Sequence, residues 1–93
     1  MNTGIYRTPE KIDISTNPGM SEDLKEMLAE GKNTLTIDMA DTVYISSVGL
    51  RTLLATQKEC KAAGGDMVIK NAGEMVLKVF EVTGFAQIFN IAG

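Results

Sequence analysis

The chain has 93 residues, 44% of them hydrophobic and 23% charged, with a net charge of −3. This is the composition of one globular domain rather than a disordered tail, and an acidic chain lacks the clustered basic surface that a nucleic-acid backbone demands. The lone Cys60 excludes an internal disulfide and fits a reducing cytoplasm. No segment approaches the roughly 18 apolar residues of a membrane span, and Met1 to Glu10 lacks the apolar region of a signal peptide, so a cytoplasmic protein without a membrane role is expected.

Met1 to Glu10 carries little pattern, although Ile5 and Tyr6 suit a short strand. Lys11 to Ser15 alternates, with Ile12 and Ile14 on one face and Asp13 on the other, and predicts a strand. Thr16-Asn17-Pro18 is a helix-start signal, because proline suits the first helical position. Met20, Leu24, Met27 and Leu28 follow at helical spacing until Gly31. Thr34 to Met39 alternates strictly, with Leu35, Ile37 and Met39 facing one way. The apolar run Val43-Tyr44-Ile45 leads directly into Ser46-Ser47.

From Val48 to Ala63 the period turns helical, with a stripe of Leu50, Leu53, Leu54 and Cys60 ending at Gly64-Gly65. Met67 to Lys70 reads as a short buried strand. Glu74 to Thr83 reads as a helix with Val76, Val79 and Phe80 inward, closed by Gly84 in a left-handed conformation. Phe85 is placed for a contact back onto the last turn, and Gln87 to Ile91 reads as a closing strand. Met20, Met27, Met39, Met67 and Met75 are expected as core fillers, and Cys60 as an inert small hydrophobe. Strands alternating with helices imply an α/β fold with a mostly parallel or mixed sheet, its helices sharing one face.

The chemistry is bounded first by absences. Without histidine, neither a serine nor a cysteine relay with a histidine base can be built, and the usual Cys/His zinc sites are excluded. Neither of the standard glycine-rich phosphate cradles is present. No metal or cofactor is expected, and the chain reads as a non-enzyme. A carboxylate site built from Asp13, Asp38 and Asp41 is the only catalytic option, and solvated or capping acids are the simpler reading.

Ser46-Ser47 carries more. Serine is a preferred N-cap, and a helix begins here. One serine suffices for a cap, so the other hydroxyl is spare at the carboxyl end of a strand, where open α/β sheets place their sites. The helix N-terminus tolerates an added phosphate, which brings about −1.5 to −2 charges. Arg51 and Lys11 either pair with such a phosphate or are solvated, and the solvated reading is the simpler.

The runs Leu35-Thr36-Ile37-Asp38-Met39 and Val43 to Arg51 resemble the STAS domain of bacterial anti-sigma factor antagonists. Ile12-Asp13 with Ser15 to Pro18, Gly64-Gly65, and Val76 to Phe85 extend the resemblance over about Lys11 to Ile91. It implies one STAS-like domain over residues 1–93, a small mixed sheet with helices packed on one face. It also implies a partner switch. The unphosphorylated protein binds an anti-sigma factor serine kinase and releases the sigma factor; phosphorylation weakens the complex, and a serine phosphatase resets it. A second implied reading is a scaffold or sensor module that binds a protein or a small ligand, such as a nucleotide, without obligatory phosphorylation.

Aligning on Gly49-Leu50 puts Ser47 at the phosphoacceptor, with Ser46 as the alternative. Ser46 then stands where the family's commonest form has aspartate. The kinase-contact set implied is Asp13, Ser46, Ser47, Gly49, Leu50 and Arg51. Both ends look shorter than the family pattern, with a curtailed opening strand and no closing helix after Gln87 to Ile91. Such an edge leaves unpaired strand groups, a route to self-association.

Overall fold

The computed structural model describes residues 2–92. The elements run β1 (Thr3–Arg7), β2 (Lys11–Ile12), α1 (Asn17–Ala29), β3 (Thr34–Asp38), β4 (Tyr44–Ile45), α2 (Ser47–Ala62), β5 (Asp66–Lys70), α3 (Glu74–Thr83) and β6 (Asn90–Ala92), with a 3₁₀ turn at Phe85–Gln87. Four strands form one sheet in the order β1-β3-β5-β6, and β2 and β4 form a second pair. Every pairing among the described residues is parallel, the parallel side of the sequence expectation.

The two sheets follow a single line of pairing that breaks once. β1 runs beside β3 in register from Thr3 against Thr34 to Arg7 against Asp38. Pro9 has no N–H to donate, and the chain bends there before β2 resumes beside β4, with Ile12 opposite Ile45. Buried Thr8 and Thr42 fasten the bend. Their hydroxyls lie 2.5 Å apart, Thr42 Oγ1 donates to the Pro9 carbonyl at 2.6 Å, and Thr8 N donates to the Asp38 carbonyl at 3.0 Å.

Leu35 and Ile37 of β3 and Met67 and Ile69 of β5 point to the same side of the sheet, as the alternation of their sequences dictates. Onto that side all three helices pack their apolar stripes: Met20 and Leu24 from α1, Leu50, Leu53 and Cys60 from α2, Val76 and Phe80 from α3. Burial pushes the Cys60 thiol up, which keeps it an unreactive packing group. Gly84 closes α3 at φ 84°, and Phe85 stacks at a tilt on Phe89, 5.1 Å between ring centres. No helix among the described residues is long and apolar enough to cross a membrane.

Four sequence expectations change. The strand predicted over Lys11 to Ser15 stops at Ile12, and Ile14 is 84% exposed rather than buried beside Ile12. The cause is Asp13, whose carboxylate collects the N–H groups of Ser15 and Thr16 and turns the chain. In the run Val43-Tyr44-Ile45 only Ile45 is buried. Met75 is exposed, because it lies on the flank of α3 away from Val76 and Phe80. The closing strand starts at Asn90, since Phe85–Gln87 coils into the 3₁₀ turn first.

Candidate functional site

The site forms where β4 ends and α2 begins. Ser46 is extended, with φ −92° and ψ 171°. Its N–H donates to the Ile12 carbonyl at 2.8 Å, and its carbonyl accepts the first helical bond from Leu50 N at 3.1 Å. The backbone of Ser46 therefore joins β2 to α2. Its side chain does not cap the helix, and its Oγ is shut away from solvent without a hydrogen-bond partner among the described residues. Ser47, the first residue of α2, is exposed. The expectation that one serine caps is thus replaced by another division of labour: one hydroxyl is enclosed and the other is presented.

Gly49 explains how α2 comes so close. A Cβ there would lie 2.4 Å from Ile12 Cγ2 and 3.1 Å from Ile45 Cγ1, so only glycine lets the helix start sit on the β2–β4 pair. Leu50 beside it is buried in the core. Gly49 and Leu50 were expected at the partner contact. They lie under the site and set its position instead.

Asp13 reaches the site from the β2–α1 loop. Its Oδ1 accepts from Ser15 N at 3.0 Å, Ser15 Oγ at 2.7 Å and Thr16 N at 3.0 Å. Thr16 Oγ1 in turn donates to the Lys11 carbonyl at 2.6 Å. The Ser15 hydroxyl first, then the Thr16 N–H, holds the Asp13 carboxyl below the usual range, so it is ionised at neutral pH.

Asp13, Ser46, Ser47 and Arg51 meet around one cleft of about 410 Å³, together with Ile14, Tyr44 and Val48. Of the expected contact set, the cleft gathers four members and leaves Gly49 and Leu50 beneath it. Sequence reading missed the apolar rim of Ile14 and Tyr44, which are 84% and 50% exposed. The signal for Ile14 was present in Asp13-Ile14-Ser15-Thr16, an Asx-turn sequence that ends a strand. The cleft combines a presented hydroxyl, a fixed negative charge, a free guanidinium and an apolar lip. These four features lie together in one open depression at the start of α2.

The other acids behave as turn builders. Asp38 Oδ1 accepts from Ala40 N and Asn71 Nδ2, both at 3.0 Å, and Asp41 pairs with Arg7 at 2.8 Å and 3.1 Å. The Asn71 amide holds the Asp38 carboxyl low, and the Arg7 guanidinium does the same for Asp41. Asp13, Asp38 and Asp41 are thus each held toward the charged form by the turn or pair they build.

A family model described as "STAS domain" matches residues 1–93. The chain belongs to the STAS family. A relative named anti-sigma-B factor antagonist, from Bacillus subtilis, is 30% identical over 82 residues, 88% of this chain and 74% of its own. Among solved structures, an anti-sigma factor antagonist of Mycobacterium paratuberculosis superposes with TM-score 0.84 at 22% identity, over 97% of this chain and 76% of that one. The anti-sigma factor antagonist SpoIIAA in its unphosphorylated form superposes with TM-score 0.83 at 18% identity, over 99% and 81%. These STAS structures share the α/β fold described above.

Proposed function

We propose that this STAS domain is an anti-sigma factor antagonist working by partner switching in the cytoplasm, with Ser47 as its phosphoacceptor. The observation that carries the reading is the split between the two serines: Ser47 is exposed at the cleft, while Ser46 Oγ is enclosed. The names of the relatives support the role.

Unphosphorylated, the cleft offers Ile14 and Tyr44 as an apolar lip around the Ser47 hydroxyl. An anti-sigma serine kinase that docks there removes the lip from water and gives up its sigma factor. Its transfer step forms a bond between Ser47 Oγ and the γ-phosphorus of ATP as the bond to ADP breaks, with the hydroxyl proton passing to a kinase base. The product carries about −1.5 to −2 charges beside the ionised Asp13, and burying them against the docked partner is costly. A serine phosphatase restores the hydroxyl when water attacks phosphorus and inorganic phosphate leaves.

The test is incubation with an anti-sigma kinase and ATP, read by intact mass and peptide mapping. One phosphate is expected, lost in Ser47→Ala and retained in Ser46→Ala. Labelling that survives Ser47→Ala and disappears in Ser46→Ala would overturn the assignment.

A further inference from the structure

Arg51 stands four residues beyond Ser47 on α2, the spacing at which helix side chains are neighbours, and both line the Ser47 cleft. Arg51 is exposed, and it belongs to neither ion pair found among the described residues, Arg7–Asp41 and Lys32–Glu30. Asp13 faces the cleft from the β2–α1 loop as a carboxylate whose Oδ1 is tied to Ser15 and Thr16. Tyr44 of β4 is the remaining titratable group in the lining, and Lys25 and Glu59 line the adjoining groove that Arg51 shares between α1 and α2. A dianion on Ser47 therefore meets one fixed negative neighbour and one uncommitted positive neighbour.

We propose that Arg51 holds the phosphoryl group of phosphorylated Ser47 within the same chain, drawing it along α2 and away from Asp13. This rests on the reading of Ser47 as the acceptor. A guanidinium matches phosphate geometry with two parallel N–H donors, so the contact fixes direction as well as neutralising charge. Arg51 also lines the groove between α1 and α2 together with Val48. Pulling Arg51 toward Ser47 takes its side chain off that groove, so one modification alters two neighbouring surfaces. The switched-off state is then an ordered ion pair in place of a solvated dianion, and Arg51 is a positioning residue of the switch.

The test uses the full chain with phosphoserine installed at position 47 during synthesis, so that no kinase is needed. Phosphorus NMR follows the second ionisation of the phosphate. An ordinary phosphoserine loses that proton near pH 6, and Arg51 is expected to lower the value by about half a unit. Arg51→Ala should raise it by about that half unit relative to the wild type, and Arg51→Lys should keep part of the shift, since charge remains without the planar fork. The Arg51 Nε–H resonance should move on phosphorylation in the wild type. Arg51 is exposed, so both variants are expected to melt like the wild type. Equal ionisation in wild type and Arg51→Ala would sink the proposal. If a kinase fails to modify Ser47 while this coupling is seen, the acceptor reading falls and the contact stands; the reverse pair of results removes the contact alone.

Discussion

Two corners of this STAS domain are built from the same materials and finished differently. At the β1–β2 bend, Asp38, Asp41, Arg7, Asn71, Thr8 and Thr42 all find partners: Asp41 takes Arg7, Asp38 takes Asn71, and the two threonine hydroxyls bind each other. At the start of α2, Asp13 completes its turn, but Ser46 Oγ, Ser47 and Arg51 are left without side-chain partners among the described residues. The first corner is a joint, and its charges are spent on the fold. The second holds its shape through backbone bonds and glycine packing, which leaves Ser47 and Arg51 exposed at the cleft while Ser46 Oγ is enclosed. The acids of the first corner serve the architecture, and the exposed pair at the second is where the proposed switch acts.

The comparison breaks most severely at Gly49. Gly49→Ala drives a Cβ to 2.4 Å from Ile12 Cγ2, and overpacking of this kind costs about 2–3 kcal/mol, readable by urea denaturation. An unchanged midpoint would mean that close packing does not fix the open corner. Next comes Tyr6, whose hydroxyl donates to Asp23 Oδ2 at 2.9 Å and ties the edge strand β1 to α1. Tyr6→Phe should lose about 1 kcal/mol. Partial burial, aided by Asp23, pushes the Tyr6 hydroxyl from 10.0 up to about 12. A folded value raised above the unfolded one gives stability that is present below about pH 10 and lost toward pH 12. Tyr6→Phe should flatten that alkaline limb in a pH series of melts.

A smaller effect separates the two corners in acid. Asp13, Asp38 and Asp41 are all held below 3.8, so each stabilises the fold above that value and ceases to as pH falls through its folded value. Asp13→Asn should flatten the acid limb more than Asp41→Asn, because Asp13 organises a turn and Asp41 joins an exposed pair. Equal slopes would erase the distinction drawn between the corners. The smallest change is expected at Ser46. Loss of a working N-cap costs about 1 kcal/mol, but Ser46 Oγ makes no cap bond, so Ser46→Ala should move stability by less than about 0.5 kcal/mol.

Local pattern carried much of the fold. The limits of α3 are legible as Glu74 to Thr83, because a period of 3.6 runs into Gly84, where the chain adopts positive φ. The inward faces of β3 and β5 follow from strict alternation. Periodicity failed where a side chain, rather than a backbone preference, ended an element. Ile14 alternates correctly with Ile12, yet Asp13 turns the chain before that alternation can act. Met75 is apolar at an outward position of α3, and composition alone cannot say which flank of a helix stays uncovered.

A hydroxyl pair opening a helix directly after the apolar run Val43-Tyr44-Ile45 is legible in the sequence, as is the lack of any histidine to serve as a base beside it. Both serines have the same chemistry and adjacent places in the chain, so nothing local distinguishes them. The enclosure of Ser46 and the exposure of Ser47 come from packing between distant segments, because they depend on how closely Gly49 lets α2 approach Ile12 and Ile45. The same approach, across segments more than thirty residues apart in the chain, brings Asp13 to the cleft that Ser47 and Arg51 share.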